Sequence, residues 1–146
     1  MRLDYKFETK AIQNAFRKLA DLGGDMTPIT RKAANVLWQE SETAFDKEQT
    51  PKGEDWKALD INYEKSRHKN GYTGKKLQVT GNLVNSLDID YGDSFAVIGA
   101  AEPYAQYHQA GTSKMAAREF LGLGKDGEDE ILAIIKQELK NAMEAP

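Results

Sequence analysis

The run Leu87-Asp88-Ile89-Asp90-Tyr91 alternates apolar and acidic residues strictly, passes through Gly92-Asp93, and resumes as Ser94-Phe95-Ala96-Val97-Ile98. Alternation with a period of two puts every second side chain on one face of a strand. A Gly-Asp pair between two such runs is a tight-turn signal, so the spacing predicts a β-hairpin over about 87–98. A lone hairpin is at best marginally stable in water and needs further layers on its apolar face. The flanking sequence offers helices for that purpose.

Downstream, Pro103 favours a helix start that puts Tyr104 and His108 on one face. Phe120-Leu121-Gly122 reads as a short strand. The acidic run Asp126 to Glu130 suits a helix N-terminus. Ile131, Leu132, Ile135 and Leu139 then give a C-terminal helix over about 129–143 its buried stripe. Upstream, Thr80 is a cap for a short turn carrying Leu83, Val84 and Leu87. Ile12, Phe16 and Leu19 recur at helical spacing between Lys10 and Leu22, and Gly23-Gly24 stops the pattern. Thr27 as N-cap and Pro28 at the first helical position open a second helix, whose stripe is Ile29, Ala33, Val36, Leu37, Glu40 and Ala44. The short connection between these helices predicts that they pack as a hairpin over about 10–45. Pro51 and Gly53 mark residues 46 to 56 as a loop, and Trp56 at its end is expected to anchor it on the core. A short helix from Asp60 to Lys69 is also consistent with the pattern. The expected class is therefore α+β, with an N-terminal helical hairpin and a C-terminal helix packed on a small, mainly antiparallel sheet.

One domain is the natural division of 146 residues, so 1–146 is read as a single unit. Its core is thin: Leu, Ile, Val and Phe together number 29, near the level where folding alone becomes marginal. A formal net charge of −3 is too small to drive disorder, and a thin core in a folded chain points to support from partner subunits. The same charge singles out neither nucleic acid nor an acidic surface as the main partner. The chain has no Cys, which removes disulfides and thiolate zinc sites. No apolar run approaches the ~20 residues of a membrane span, so no membrane partner is expected. Met1-Arg2-Leu3-Asp4-Tyr5-Lys6 has no apolar signal region, and cytoplasmic synthesis is the expectation.

Chemistry is poorly provided for. The two histidines, His68 and His108, stand beside no nucleophile elbow, and there is no thiol to activate. No His-x-x-x-His pair is present for a metal, and Asp88 and Asp90 read as the solvent side of the hairpin. Asp126-Gly127-Glu128-Asp129-Glu130 lacks the ligand alternation of a calcium loop, and Gly122-Leu123-Gly124-Lys125 lacks the spacing of a phosphate loop. No catalytic residue, metal or cofactor is therefore assigned. Charge is more informative. From Lys65 to Leu87 there is no acidic residue, whereas Lys65, Arg67, Lys69, Lys75 and Lys76 are all basic. Gly71 and Gly74 within it predict a mobile basic loop over about 65–76, which is either simply a solvated loop or a basic arm for an acidic neighbour or passing DNA. Glu128 and Glu130 are natural counter-charges on an adjacent copy. Tyr104, His108 and Arg118 each join apolar area to a polar tip, as interface anchors do, with a core position the other reading for Tyr104.

The ordered motifs Gln49, Pro51, Gly53 and Trp56, then Leu77, Thr80, Gly81 and Leu83, then Tyr104, Ala105, His108, Gln109, Gly111, Arg118 and Phe120 carry a resemblance. Over residues 40 to 122 the chain resembles the phage virion morphogenesis, or tail completion, family of Mu-like contractile-tailed phages. The resemblance implies a structural, non-enzymatic protein that completes the tail or joins it to the head, placed at the neck or tail end of the virion. Its implied partners are further copies of itself and neighbouring tail tube or connector proteins. A protein that ends a tube must match its symmetry, so a ring of six copies is expected on the tail side and twelve on the portal side. Two other readings stay open: a non-structural assembly factor that leaves before maturation, and a small nucleic-acid-binding module using the basic loop.

Overall fold

Thr27-Pro28-Ile29 begins the longest helix among the described residues, and the other described elements are arranged around it. The computed structural model describes residues 3–5, 9–58, 69, 82–113 and 115–144. The elements run β1 (Leu3–Tyr5), α1 (Lys10–Ala20), α2 (Thr27–Lys47), α3 (Asn82–Asn85), β2 (Leu87–Gly92), β3 (Phe95–Ala100), α4 (Ala105–Ala110) and α5 (Lys125–Glu144). The class is α+β, as the sequence pattern indicates. The three strands lie in the order β1-β3-β2, antiparallel throughout, so the second strand of the hairpin is the centre of the sheet.

The hairpin register runs from Leu87 opposite Ala100 to Gly92 opposite Phe95. The turn is therefore Asp93-Ser94, one residue later than the Gly92-Asp93 expected. Two contacts account for the shift. Asp93 Oδ1 accepts the Met26 N–H at 2.7 Å, and the Thr30 hydroxyl donates to the Gly92 carbonyl at 2.6 Å. Both tie the turn to the start of α2. Thr27 is likewise one place off its expected role. Met26 is the N-cap residue, and Asp25 Oδ1 accepts the Thr27 N–H at 3.0 Å and the Thr27 hydroxyl at 2.7 Å. These bonds hold the Asp25 carboxyl below its ordinary range.

α2 is buried on two sides. Ile29, Ala33, Val36, Leu37 and Ala44 form the stripe expected from the sequence, and Thr30, Ala34, Ser41 and Phe45 are buried as well. The helix packs against β2 and β3 on the one hand and against α5 on the other. The expected packing of α1 directly on α2 is replaced by α5, which packs against both. Gly23 and Gly24, at φ 81° and 98°, turn the chain out of α1, and the Met26–Asp93 bond then fixes the start of α2 beside the hairpin.

α5 begins at Lys125, four residues ahead of the expected position. The reason is Glu40, the one polar member of the α2 stripe. Its half-buried carboxylate lies against this stretch of backbone, where the N–H groups of Gly124 and Gly127 favour its charged form. A Cβ at Gly127 would overlap the Glu40 carboxylate, and one at Gly124 would overlap the Pro51 carbonyl. The glycines thus permit the approach. Next to this junction Phe45 meets Trp56 edge-on at 5.7 Å and Phe120 at 5.3 Å. Trp56 Nε1 donates to the Glu119 carbonyl at 2.7 Å, so Trp56 anchors its loop as expected.

Burial raises the Glu40 pKa more than the two N–H bonds lower it, and the charges of Asp126 and Glu130 add to the rise. The folded chain therefore holds this proton more tightly than the unfolded one. The contribution is full below the ordinary glutamate range and is lost as pH rises through the raised value. Glu40→Ala is expected to destabilise the chain by about 1–3 kcal/mol in urea unfolding below the ordinary glutamate range, and by less as pH rises. Gly127→Ala is expected to destabilise the parent by displacing the carboxylate. In the Glu40→Ala background the same change should stabilise by up to ~1 kcal/mol, because alanine is the better helix former. An equal effect in both backgrounds would contradict this cap.

Candidate interaction surface

Beyond β3 the chain builds a small, closely tied unit around α4. Ala101 N–H donates to the Ser86 carbonyl at 3.3 Å and Ala105 N–H to Glu102 at 3.0 Å, which starts the helix on a turn. Ala105 is its buried residue. Gly111 ends it at φ 74°, where a Cβ would lie 2.7 Å from the Ala117 nitrogen. The chain then doubles back. Thr112 and Met115 form a bridge, and Arg118 N–H donates to the His108 carbonyl at 2.7 Å.

Two side chains lock this unit to the core. Gln109 Oε1 accepts the N–H groups of Phe120 and Leu121, both at 3.0 Å, and its Nε2 donates to the Leu121 carbonyl at 2.9 Å. The expected strand over Phe120–Gly122 is absent for this reason: a side-chain amide occupies the backbone groups that a neighbouring strand would use. Arg118, only 8 % exposed, donates from Nε to the Lys57 carbonyl at 3.0 Å and from Nη2 to the Ala58 carbonyl at 3.2 Å. Its guanidinium is thus turned inward, onto the chain's own backbone.

The outer face of α4 is aromatic. Tyr104 is 64 % exposed and Tyr107 44 %, with ring centroids 6.4 Å apart. The core position considered for Tyr104 is thereby excluded. Tyr104, Tyr107, His108, Thr112 and Met115 line a shallow, open depression of about 410 Å³. His108 lines it with a buried Nδ1 that has no hydrogen-bond partner. Burial and the Arg118 charge hold the His108 pKa below the usual imidazole range, and Glu102 opposes them more weakly. Exposed aromatic area of this kind is what burial against another surface would stabilise.

A sequence profile of the phage virion morphogenesis family matches residues 7–140. The chain belongs to that family. Mu-like prophage FluMu G protein 1 of Haemophilus influenzae is 55 % identical over 141 residues, covering 95 % of this chain and 96 % of the relative. The putative capsid assembly protein G of Escherichia phage Mu is 33 % identical, with 93 % of each chain covered. FluMu G protein 2 of Haemophilus influenzae is 30 % identical, with 86 % of each covered. No solved structure matches. The family match extends beyond residues 40 to 122 to take in α1 and most of α5.

Within this family member, the structure brings Tyr104 and His108 together and sets Arg118 behind them. Tyr107, Thr112 and Met115 complete the depression and were not singled out in the sequence, although Tyr104 and Tyr107 stand at helical i, i+3 spacing. Glu128 is half-buried and Glu130 exposed on the first turns of α5, and Lys69 is exposed. Lys65, Arg67, Lys75 and Lys76 lie outside the described residues, as do Thr80, Gly81 and most of the segment over which a 60–69 helix is expected. Among the described residues no group of three or more His, Asp or Glu is placed to hold a metal ion, and no helix is long and apolar enough to cross a membrane.

Because folding favours neutral His108, its contribution to stability is present above the ordinary histidine pKa and is lost as pH falls through the lowered folded value. His108→Gln is expected to flatten the stability profile below about pH 6.5. Urea unfolding of both chains from pH 7.5 to pH 5 tests this, and parallel profiles would contradict it.

Proposed function

We propose that this chain is a structural virion assembly protein acting in tail completion or head–tail joining, as a ring-forming subunit at the neck or tail end of the particle. The observation that carries this reading is the exposed Tyr104–Tyr107 face on a helix locked by Gln109, Gly111 and Arg118. A rigid aromatic surface loses little side-chain freedom on binding, so most of its burial is available for association. Membership of the virion morphogenesis family gives that surface its setting. Self-association also suits the thin core, because subunit contacts add stability that the monomer lacks. In this reading the partners are copies of the chain, six or twelve according to the side of the joint, together with neighbouring tail tube or connector proteins. The chain works by contact and carries no catalysis; it is assembled in the host cytoplasm.

A second reading draws on the phage Mu relative, whose description is that of a putative capsid assembly protein. It makes this chain a non-structural assembly factor that leaves before maturation. Tyr104→Ala with Tyr107→Ala separates structural from non-structural roles. Both side chains are exposed, so the stability of the monomer is expected to change by no more than ~0.5 kcal/mol for each. Mass spectrometry of purified particles should detect the parent chain and lose the double variant. Absence of the parent from mature particles would contradict the structural reading and favour the assembly factor.

A further inference from the structure

β1 and α1 together form an arm whose partners lie far along the chain. The β1 backbone pairs with β3, from Leu3 opposite Ala100 to Tyr5 opposite Ile98, and α1 packs on α5. From α1, Ile12 and Leu19 are buried in the core, and Ala15, Phe16 and Ala20 are half-buried against it. Asp21 to Met26 join this arm to α2, and residues 21–25 are all exposed.

The joint is built as a hinge. On one side its bonds stay within the end of α1: Leu22 N–H donates to the Leu19 carbonyl at 3.1 Å and Gly23 N–H to the Ala20 carbonyl at 3.0 Å. On the other side Met26 is fixed to Asp93, and Thr27 to Asp25. Gly23 and Gly24 stand between the two sets at φ 81° and 98°, and a Cβ added to either would meet nothing within 4 Å. Packing therefore does not hold the turn, and glycines reach extended angles without steric cost. Opened, Asp21 to Met26 would span roughly 20 Å at about 3.4 Å per residue. Leu22, 55 % exposed, leaves apolar area in solvent at the pivot.

We infer that β1 and α1 of one copy swing about Gly23-Gly24 and take the same places, on β3 and α5, in a neighbouring copy. This rests on the self-association reading and names the contact that links the copies. The contacts themselves set the occupant: the site that an outgoing arm leaves is the β3 edge and α5 face that an identical arm already fits. Exchange recovers the arm's own pairing and packing, so the balance between the two forms depends on the hinge and on the local concentration of copies. A short hinge invites exchange, and a longer one favours the closed monomer. Passed from copy to copy, the exchanged arm is a heterologous contact, which closes into a ring when its rotation fits the symmetry.

Asp4 and Asp88 lie opposite Gly99 from its two sides, so their Cα atoms stand about 10 Å apart, two strand spacings. The chain has no Cys, so Asp4→Cys and Asp88→Cys, joined by a short bismaleimide, report whose arm lies on a given sheet. The two full-length single variants are unfolded together in urea, refolded, concentrated and cross-linked. Covalent dimer is expected from the mixture and from neither variant alone, and a chain carrying both cysteines should give a ladder of linked copies. Lengthening the hinge by about six Gly/Ser residues between Gly23 and Gly24 should turn that ladder into an internally linked monomer. Oligomers that form, by mass, while the mixture yields no dimer and the double-cysteine chain links only within itself would overturn the exchange and leave the ring reading standing. A double-cysteine chain with no 4–88 link of either kind would also overturn the exchange. A chain that stays monomeric at every concentration would overturn both readings.

Discussion

A carboxylate held half out of water, that of Glu40, sets where the last helix begins and so how the layers meet. Left to itself, Gly122-Leu123-Gly124-Lys125-Asp126-Gly127 is poor helix sequence, because three glycines resist ordering. Glu40 reaches across from the middle of α2 to the backbone at that point, where the N–H groups of Gly124 and Gly127 favour its charge. The glycines, unfavourable for the helix, are what let α2 and the Pro51 loop come close enough for this to happen. The like charges of Asp126 and Glu130 raise the cost of ionising Glu40, although acidic residues suit a helix start. The chain accepts that cost at the junction and gains a fixed α5, which in turn covers α1 and α2.

The same device, a polar side chain spent on the backbone of a distant segment, recurs wherever the fold needs a rigid edge. Asp93 and Thr30 fasten the hairpin turn to α2, Gln109 replaces a missing strand beside Phe120, and Arg118 fastens the residues after Trp56. Each such bond satisfies buried groups and contributes ~1 kcal/mol net. Their common effect is to tie down the hairpin turn and the α4 unit, whose aromatic side chains Tyr91, Phe95, Tyr104 and Tyr107 remain exposed. A small domain with few large aliphatic residues is thus stabilised by long-range polar ties, which keep its contact surfaces in one shape.

Much of this was legible in the sequence. Strict alternation from Leu87 to Tyr91 and helical spacing from Ile12 to Leu19 are periodic signals that local physics preserves. The α2 stripe was legible as well, but the second buried side, through Ala34, Ser41 and Phe45, shows only once a layer lies on each face. What escaped depends on contacts between remote residues. β1 is three residues long, too short for any period. The early start of α5 depends on Glu40, far away in the chain. Apolar Phe120-Leu121 read as a strand because its hydrogen-bond partner is the side chain of Gln109. Arg118 read as an interface anchor with no face assigned, and carbonyls at Lys57 and Ala58 hold its guanidinium inside. The six residues of α4 do not reveal which face carries Tyr104 and Tyr107, and the basic stretch around Lys75 and Lys76 lies outside the described residues.

The central claim is that a stiff, largely self-satisfied monomer acts by repeating around the axis of a phage particle. Image averaging of the neck and tail end of purified particles, with this chain carrying a small labelled tag, tests it most directly. The account predicts a closed ring of label on the axis, with six-fold or twelve-fold symmetry. Label at a single off-axis position, or none in particles that are otherwise complete, would contradict it.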